Sequence, residues 1–293
     1  MPANAISIQN LKKYFGQTKA VDGISLDIAP SEIFGFLGPN GAGKTTTIRC
    51  LMDFIRPTSG SISILGLDSQ KDSVNIKKEV GFLSGDVRLY DNWTGTEHFS
   101  LVENLNGKSD ILLSLIERLD FNPKIKAKTL SSGNKQKLGL ILALMHQPQV
   151  LILDEPTVGL DPLLQNTIYE ILREFRKKGC TIFMSSHNLR EVEVVCDRVG
   201  IIKNGKMVAL ETIANLKRLA LHKVKAYFEK PIDPALFDHQ VDIIKSAANF
   251  LEMQTKGDIN ALIKTLSQQK LQDLEIERAS LEDIFMEYYR KEI

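Results

Sequence analysis

The sequence predicts an α/β protein built on a parallel sheet, with a small α+β unit at its C-terminal end. Three stretches carry that prediction. Glu32-Ile33-Phe34-Gly35-Phe36-Leu37 reads as a short buried strand that runs into a glycine-rich turn and then a helix from Thr45 to Phe54. Val150-Leu151-Ile152-Leu153 is an unbroken apolar run, the pattern of a strand covered on both faces. Thr181-Ile182-Phe183-Met184-Ser185 is a further strand, separated from the second by a helical stretch, as parallel pairing requires.

The turn after the first strand, Gly38-Pro39-Asn40-Gly41-Ala42-Gly43-Lys44-Thr45-Thr46, fits G-x-x-x-x-G-K-S/T. Its glycines let successive backbone N–H groups point inward at phosphate oxygens. At this spacing Lys44 reaches the β- and γ-phosphates and the Thr45 hydroxyl ligates Mg²⁺. The helix that follows favours an anion at its N-terminus. The second strand ends in Asp154-Glu155. One such carboxylate holds Mg²⁺ through water, and the next orients or deprotonates an attacking water. Strands do often end in an acid as they reach solvent. Two acids directly after four core residues, in a chain with a phosphate loop, favour the chemical reading.

Composition excludes several classes. At 293 residues the chain holds one large domain, or one large and one small. Its net charge of +1 gives no global field for nucleic acid. Cys50, Cys180 and Cys196 are scattered and odd in number, which suits a reducing compartment and shows no metal-ligand spacing. The N-terminus lacks a basic region followed by an apolar run, and no stretch approaches the ~20 apolar residues of a membrane span. The expectation is a cytosolic chain whose membrane role, if it has one, comes through a partner.

The remaining elements follow in order. Ile6-Ser7-Ile8 and Ile24-Ser25-Leu26-Asp27-Ile28 alternate as half-buried strands do, and between them Tyr14 is either a base-stacking aromatic or an ordinary strand residue. Ile62-Ser63-Ile64 is a strand introduced by the turn Pro57-Thr58-Ser59-Gly60. From about 86 to 147 the pattern is helical, with helices over Glu97–Asn106, Asp110–Leu119 and Lys135–Met145. Ser131-Ser132-Gly133-Asn134 stands ahead of the last of these, as a plain N-cap or as an anion site. Asp161-Pro162 opens a helix that stops at Gly179, and His187 lies just past the end of the third strand. Asn204-Gly205 marks a hairpin. After Glu211 a basic stretch, Lys217 to Lys225, leads to a linker-like segment at Pro231 and Pro234. The α+β remainder follows, with a helix near Ile259–Gln268, a strand at Leu274-Glu275-Ile276 and a capping box at Ser280.

From about Ala5 to Leu210 these motifs, in this order and spacing, resemble the ATP-binding cassette (ABC) ATPase family. The resemblance implies a cassette over 1–215 with an antiparallel β subdomain at its N-terminus and a helical subdomain near 86–147, and an accessory domain over 216–293. It makes Tyr14 the adenine-stacking aromatic, Gly38 to Thr46 the phosphate loop, Asp154 a Mg²⁺ residue and Glu155 the catalytic carboxylate. Gly159-Leu160-Asp161 is similar to the loop after that strand, and His187 to the histidine facing the γ-phosphate. Leu130-Ser131-Ser132-Gly133-Asn134 is similar to the family signature L-S-G-G-Q, with Ser132 for its first glycine and Asn134 for its glutamine. Where the family offers a Gln or Glu to Mg²⁺ and to the membrane partner, this chain has Gly85, followed by Asp86. Either Asp86 substitutes or that ligand is missing.

The family implies ATP and Mg²⁺ as cofactors and ATP hydrolysis as the activity. It also implies head-to-tail pairing with a second cassette, most simply a homodimer, in which each signature closes over the other chain's nucleotide. The reading is the ATP-hydrolysing subunit of a transporter with separate membrane subunits and no nucleic-acid partner, held at the inner face of the cell membrane. The segment Asp86 to Thr96, with Tyr90 and Trp93, is the expected partner surface; the same aromatics suit a helical-subdomain core. The tail Ser280-Leu281-Glu282-Asp283-Ile284-Phe285 is similar to those of bacterial drug and antibiotic exporters. Three alternatives remain: a soluble ABC ATPase acting on DNA or ribosomes, a nucleotide-gated interaction module with little hydrolysis, and a P-loop kinase.

Overall fold

The sheet that carries the site has six strands in the order β10-β9-β3-β8-β7-β6, all parallel except the edge strand β10. They are β3 (Ile33–Leu37), β6 (Val80–Leu83), β7 (Val150–Asp154), β8 (Thr181–Ser186), β9 (Arg198–Lys203) and β10 (Lys206–Thr212). This is a computed structural model, and it describes residues 4–219, 222–237, 241–255 and 259–278. Every residue of β3, β7 and β8 is buried, as their apolar centres require for strands covered on both faces. The Phe183 ring packs 5.9 Å from Phe34 and 5.3 Å from Phe36. Burying each such ring contributes roughly 1.5–3 kcal/mol.

A second, antiparallel sheet has the order β2-β1-β4-β5, from β1 (Ile6–Phe15), β2 (Thr18–Ile28), β4 (Ser59–Ile64) and β5 (Leu67–Asp68). The alternating Ile6, Ile8, Ile24, Leu26, Ile28, Ile62 and Ile64 face inward and join Phe36, Ile152 and Phe183 in one core. Period-two alternation thus decides which side of this sheet is covered.

The helices are α1 (Lys44–Leu51), α2 (Ser73–Glu79), α3 (Gly95–Asn106), α4 (Leu112–Arg118), α5 (Ser132–Leu144), α6 (Pro162–Lys177), α7 (Leu189–Val195), α8 (Ile213–Leu219) and α9 (Ile259–Leu266). Side-chain caps start α3, α5 and α6. Thr94 and Glu97 form a capping box on α3, Ser131 caps α5 through the N–H of Asn134, and Asp161 accepts from Leu163 and Leu164 ahead of Pro162. Gly179, at φ 101°, follows the end of α6. Asn204 and Gly205, at φ 49° and 76°, make the turn between β9 and β10.

The chain divides into units 1–212 and 213–293. In the second, β11 (His222–Phe228), β12 (Asp242–Ala247), β13 (Phe250–Thr255) and β14 (Leu271–Arg278) form an antiparallel sheet ordered β12-β13-β11-β14. Val224, Ala226, Phe228, Leu251 and Met253 share its buried face with Leu262 and Leu266 of α9. The prolines that read as a linker lie inside this unit. Pro234 opens a short 3₁₀ turn capped by Asp233, after β11 has already paired with β13 and β14. A proline-rich loop between strands and a proline-rich linker look alike in sequence; pairing across about 25–50 residues separates them. The capping box at Ser280 and the exporter-like tail lie outside the described residues.

Candidate functional site

The phosphate loop, the two acids and the histidine meet at the C-terminal edge of the parallel sheet. They line one cavity of about 490 Å³, built by the segments that follow β3, β6, β7 and β8. Open α/β sheets bind ligands at this edge because every parallel strand delivers its following loop there. The lining includes Pro39 to Gly41, Gly43 to Thr46, Ser84 to Asp86, Asp154, Glu155, Val158 and His187.

Gly43 explains part of the loop. It has φ 111°, and a Cβ there would stand 2.4 Å from the Ala20 carbonyl oxygen, so only glycine fits. Lys44, first residue of α1, is buried although charged. Its Nζ donates to the carbonyls of Gly38 at 2.6 Å and Pro39 at 3.3 Å, and lies 3.2 Å from Glu155 Oε1. A phosphate entering this loop exchanges those contacts for its own oxygens.

Glu155 is the hub. Its other oxygen, Oε2, lies 2.7 Å from His187 Nδ1, so an N–H at that nitrogen donates to the carboxylate. Its backbone is left-handed, at φ 53°, and its side chain reaches Lys44 of the phosphate loop. Asp154, the last residue of β7, is 2% exposed and accepts from Ser185 Oγ at 2.5 Å. Thr45 and Asp154 open onto the same cavity and present a hydroxyl and a carboxylate oxygen. Such hard donors suit Mg²⁺, which binds through one or two protein groups and takes its other ligands from water and phosphate.

Gly85 packs against this position. A Cβ there would lie 3.2 Å from Asp154 Oδ2. Asp86 lines the cavity, but its carboxylate is held at 3.0 Å by Arg88, and both side chains are exposed. An exposed pair of this kind contributes at most about 1 kcal/mol, so the carboxylate exchanges readily.

Neither Tyr14 nor its neighbour Phe15 is among the residues lining this cavity. The Tyr14 hydroxyl donates to Asp22 Oδ1 at 2.5 Å, a bond that raises the tyrosine pKa and lowers that of Asp22. The neighbouring ring, Phe15, is 51% exposed at the end of β1, with Lys13 Nζ 4.8 Å from its centroid. Adjacent strand residues point to opposite faces, so only one of the two can serve a base. The Tyr90 and Trp93 rings pack tilted at 4.4 Å, and both contact His98, Trp93 edge-on; Tyr90 is exposed and Trp93 half-buried.

Ser131 and Gly133 are not among the residues lining the cavity. Both stand at the start of α5, Ser131 exposed and Gly133 half-buried, beside the loop at Gly159 and Leu160.

Two buried polar residues here escaped the sequence reading. Gln136 of α5 donates through Nε2 to the carbonyls of Glu155 and Pro156, each at 3.1 Å. Glu191 of α7 accepts from Thr157 Oγ1 at 2.8 Å and Ser186 Oγ at 2.6 Å, tying the loop after β7 to the end of β8; burial raises its pKa. A signal for Glu191 exists: it shares the buried face of α7 with Val192 and Val195.

Comparison with known proteins gives the chain its family. Residues 21–158 match a family described as "ABC transporter". The chain is 36% identical over 222 residues to the linearmycin resistance ATP-binding protein LnrL of Bacillus subtilis, covering 72% of this chain and 70% of the relative. It is 33% identical over 293 residues to the uncharacterized ABC transporter ATP-binding protein YhcH of the same organism, covering 96% and 95%. A solved structure titled "Structure of ATP binding subunit of ABC transporter" superposes with a TM-score of 0.68 at 27% identity, covering 73% of this chain and 92% of that one.

Proposed function

Since the chain belongs to the ATP-binding subunits of ABC transporters, we propose that it works as one half of a nucleotide-closed pair that drives export through separate membrane subunits. The observation that carries the pairing is the position of the signature. Ser131 and Gly133 offer a capped helix start to an anion, yet lie outside the cavity made by their own phosphate loop. A second cassette, most simply another copy of this chain, gives them a γ-phosphate to bind. ATP then bridges the subunits, and its hydrolysis removes the bridge.

Within one site, Lys44 and the loop N–H groups hold the phosphates, and Thr45 and Asp154 hold Mg²⁺, which offsets phosphate charge when bound. Glu155 polarises the attacking water, and His187 orients Glu155 and faces the γ-phosphate. Asp86 is available to the metal once released from Arg88. Export is supported by the similarity to LnrL, a linearmycin resistance ATP-binding protein.

For the membrane subunit, a groove of about 350 Å³ next to the nucleotide cavity is lined by Phe82, Leu83, Val87, Leu89 and Leu142, with Arg49 and Arg88 at hand. It shares Arg49, Ser84 and Asp86 with the nucleotide cavity, so a helix seated there would sense the γ-phosphate side. Among the described residues no helix is long and apolar enough to cross a membrane, so attachment falls to this partner. Purifying the chain from gently solubilised membranes should bring down an integral membrane protein stoichiometrically. Recovery of the chain entirely free of one, with full activity, would sink the transporter reading.

For the base, the geometry favours Phe15 over Tyr14, since the Tyr14 hydroxyl is engaged with Asp22 and the Phe15 side chain is half exposed, with the Lys13 ammonium near its ring. Stacking on a base is worth about 1–3 kcal/mol. Phe15→Ala should therefore weaken ATP roughly 5- to 160-fold while leaving inorganic triphosphate unchanged, and Tyr14→Phe should affect neither. Competition with a fluorescent nucleotide measures both; the reverse ranking restores Tyr14.

A further inference from the structure

The backbone of Glu155 adopts a conformation that residues with a side chain rarely adopt, and it does so where the side chain matters most. Such a conformation persists only when its surroundings over-determine it. Here the pins are specific. The Glu155 N–H donates to Ser185 Oγ at 3.1 Å, which fixes one end. At the other end, Gln136 Nε2 donates to the Glu155 carbonyl and to the Pro156 carbonyl. Both amide hydrogens of one buried side chain are therefore spent on two consecutive carbonyls.

We propose that Gln136 is a positioning residue for the hydrolysis reaction, holding Glu155 in its left-handed conformation from the signature helix. The placement of Gln136 gives this weight. It lies little more than one turn into α5, the helix that Ser131 caps, and a Cβ on Gly133 of that turn would stand 3.3 Å from the Gly159 carbonyl. The first turns of α5 thus touch both ends of the segment 155–159. One helix presents Ser131 outward and anchors the water-polarising carboxylate of its own chain. A hydrophobic residue of the same length would fill the space but release the carbonyls. Glu155 could then relax toward an ordinary backbone region and swing its carboxylate away from Lys44 and His187.

The inference rests on the reading of Glu155 as the residue that polarises water, and the two fail separately. If Glu155→Gln keeps full turnover, that reading fails whatever Gln136 does. The test of Gln136 compares three variants of the full chain by phosphate release and by ATP-driven pairing on a sizing column, pairing being read in the Glu155→Gln background. Gln136→Met keeps the length and loses both donors; Gln136→Glu keeps the shape and, ionised, donates nothing; Gln136→Lys keeps donors. An ångström of misplacement costs on the order of 100-fold in rate. The expectation is a kcat lowered about 10- to 100-fold in the Met and Glu variants, with KM for ATP and pairing near wild type. The Lys variant should recover part of the loss. Wild-type kcat in Gln136→Met overturns the proposal, as does a loss shared equally by kcat, KM and pairing, or one that Lys fails to relieve. Should the Met variant fold poorly by melting temperature, the isosteric Glu variant decides by the same criteria.

Discussion

Glu155→Gln should lower ATP turnover by two to four orders of magnitude while leaving nucleotide binding intact. The carboxylate sits between Lys44 Nζ at 3.2 Å and His187 Nδ1 at 2.7 Å, at the open end of β7. An amide of the same shape keeps an oxygen for His187 but cannot take up or polarise the proton of an attacking water. Base catalysis of this kind is worth roughly 10²–10⁴ in rate. Affinity should hold or rise, because the substitution removes a negative charge from a cavity that receives a polyphosphate. Bound but uncleaved ATP keeps the bridge in place, so paired chains should accumulate on a sizing column only when ATP and Mg²⁺ are added. Phosphate release at the wild-type rate would remove Glu155 from the reaction.

Gly133→Asp should abolish pairing and with it turnover, without weakening the single chain's hold on nucleotide. A carboxylate at this position, early in α5, suits the helix dipole and should not unfold the helix. Its Cβ must still find room beside the Gly159 carbonyl at 3.3 Å and Leu160 Cδ2 at 3.4 Å, which asks those neighbours for a few tenths of an ångström. The larger effect is electrostatic. Two like charges 4 Å apart repel by about 4 kcal/mol at an effective dielectric of 20, and a symmetric pair meets this twice. That exceeds a thousandfold loss of closure per site. Equilibrium binding of a fluorescent nucleotide to dilute protein reports the single chain, and light scattering with ATP in the Glu155→Gln background reports the pair. If binding and pairing fall together, Gly133 acts on its own cavity and the two-chain arrangement is wrong.

Elements whose signal is local were legible without coordinates. Asp161-Pro162 opens α6, Asn204-Gly205 turns β9 into β10, and the apolar run Val150 to Leu153 became a strand ending at Asp154. For the cap and the turn the sequence neighbours are also the physical partners; for the strand, four apolar residues in a row signal burial although its partners, β6 and β8, lie far off in the chain. Tyr14 shows where that stops. Two adjacent aromatics on an alternating strand offer two faces, and only the Asp22 carboxylate across the hairpin shows which ring is occupied. The prolines at 231 and 234 read as a linker because their local chemistry is that of one; the antiparallel pairing of β11 with β13 and β14 is long-range.

The amino-acid order by itself determined the kinds of group present and the strand edges from which they emerge: a phosphate loop, two acids, a histidine and a capped signature helix. These follow from periodicity, apolar runs and capping chemistry, which act over a handful of residues. Folding decided the contacts between groups far apart in the chain. Lys44 meets Glu155 across 111 positions, Glu155 meets His187 across 32, and Gln136 of α5 holds the Glu155 carbonyl beyond the end of β7. Those distances depend on how parallel strands stack their outgoing loops along one edge, and no short window of sequence contains that information.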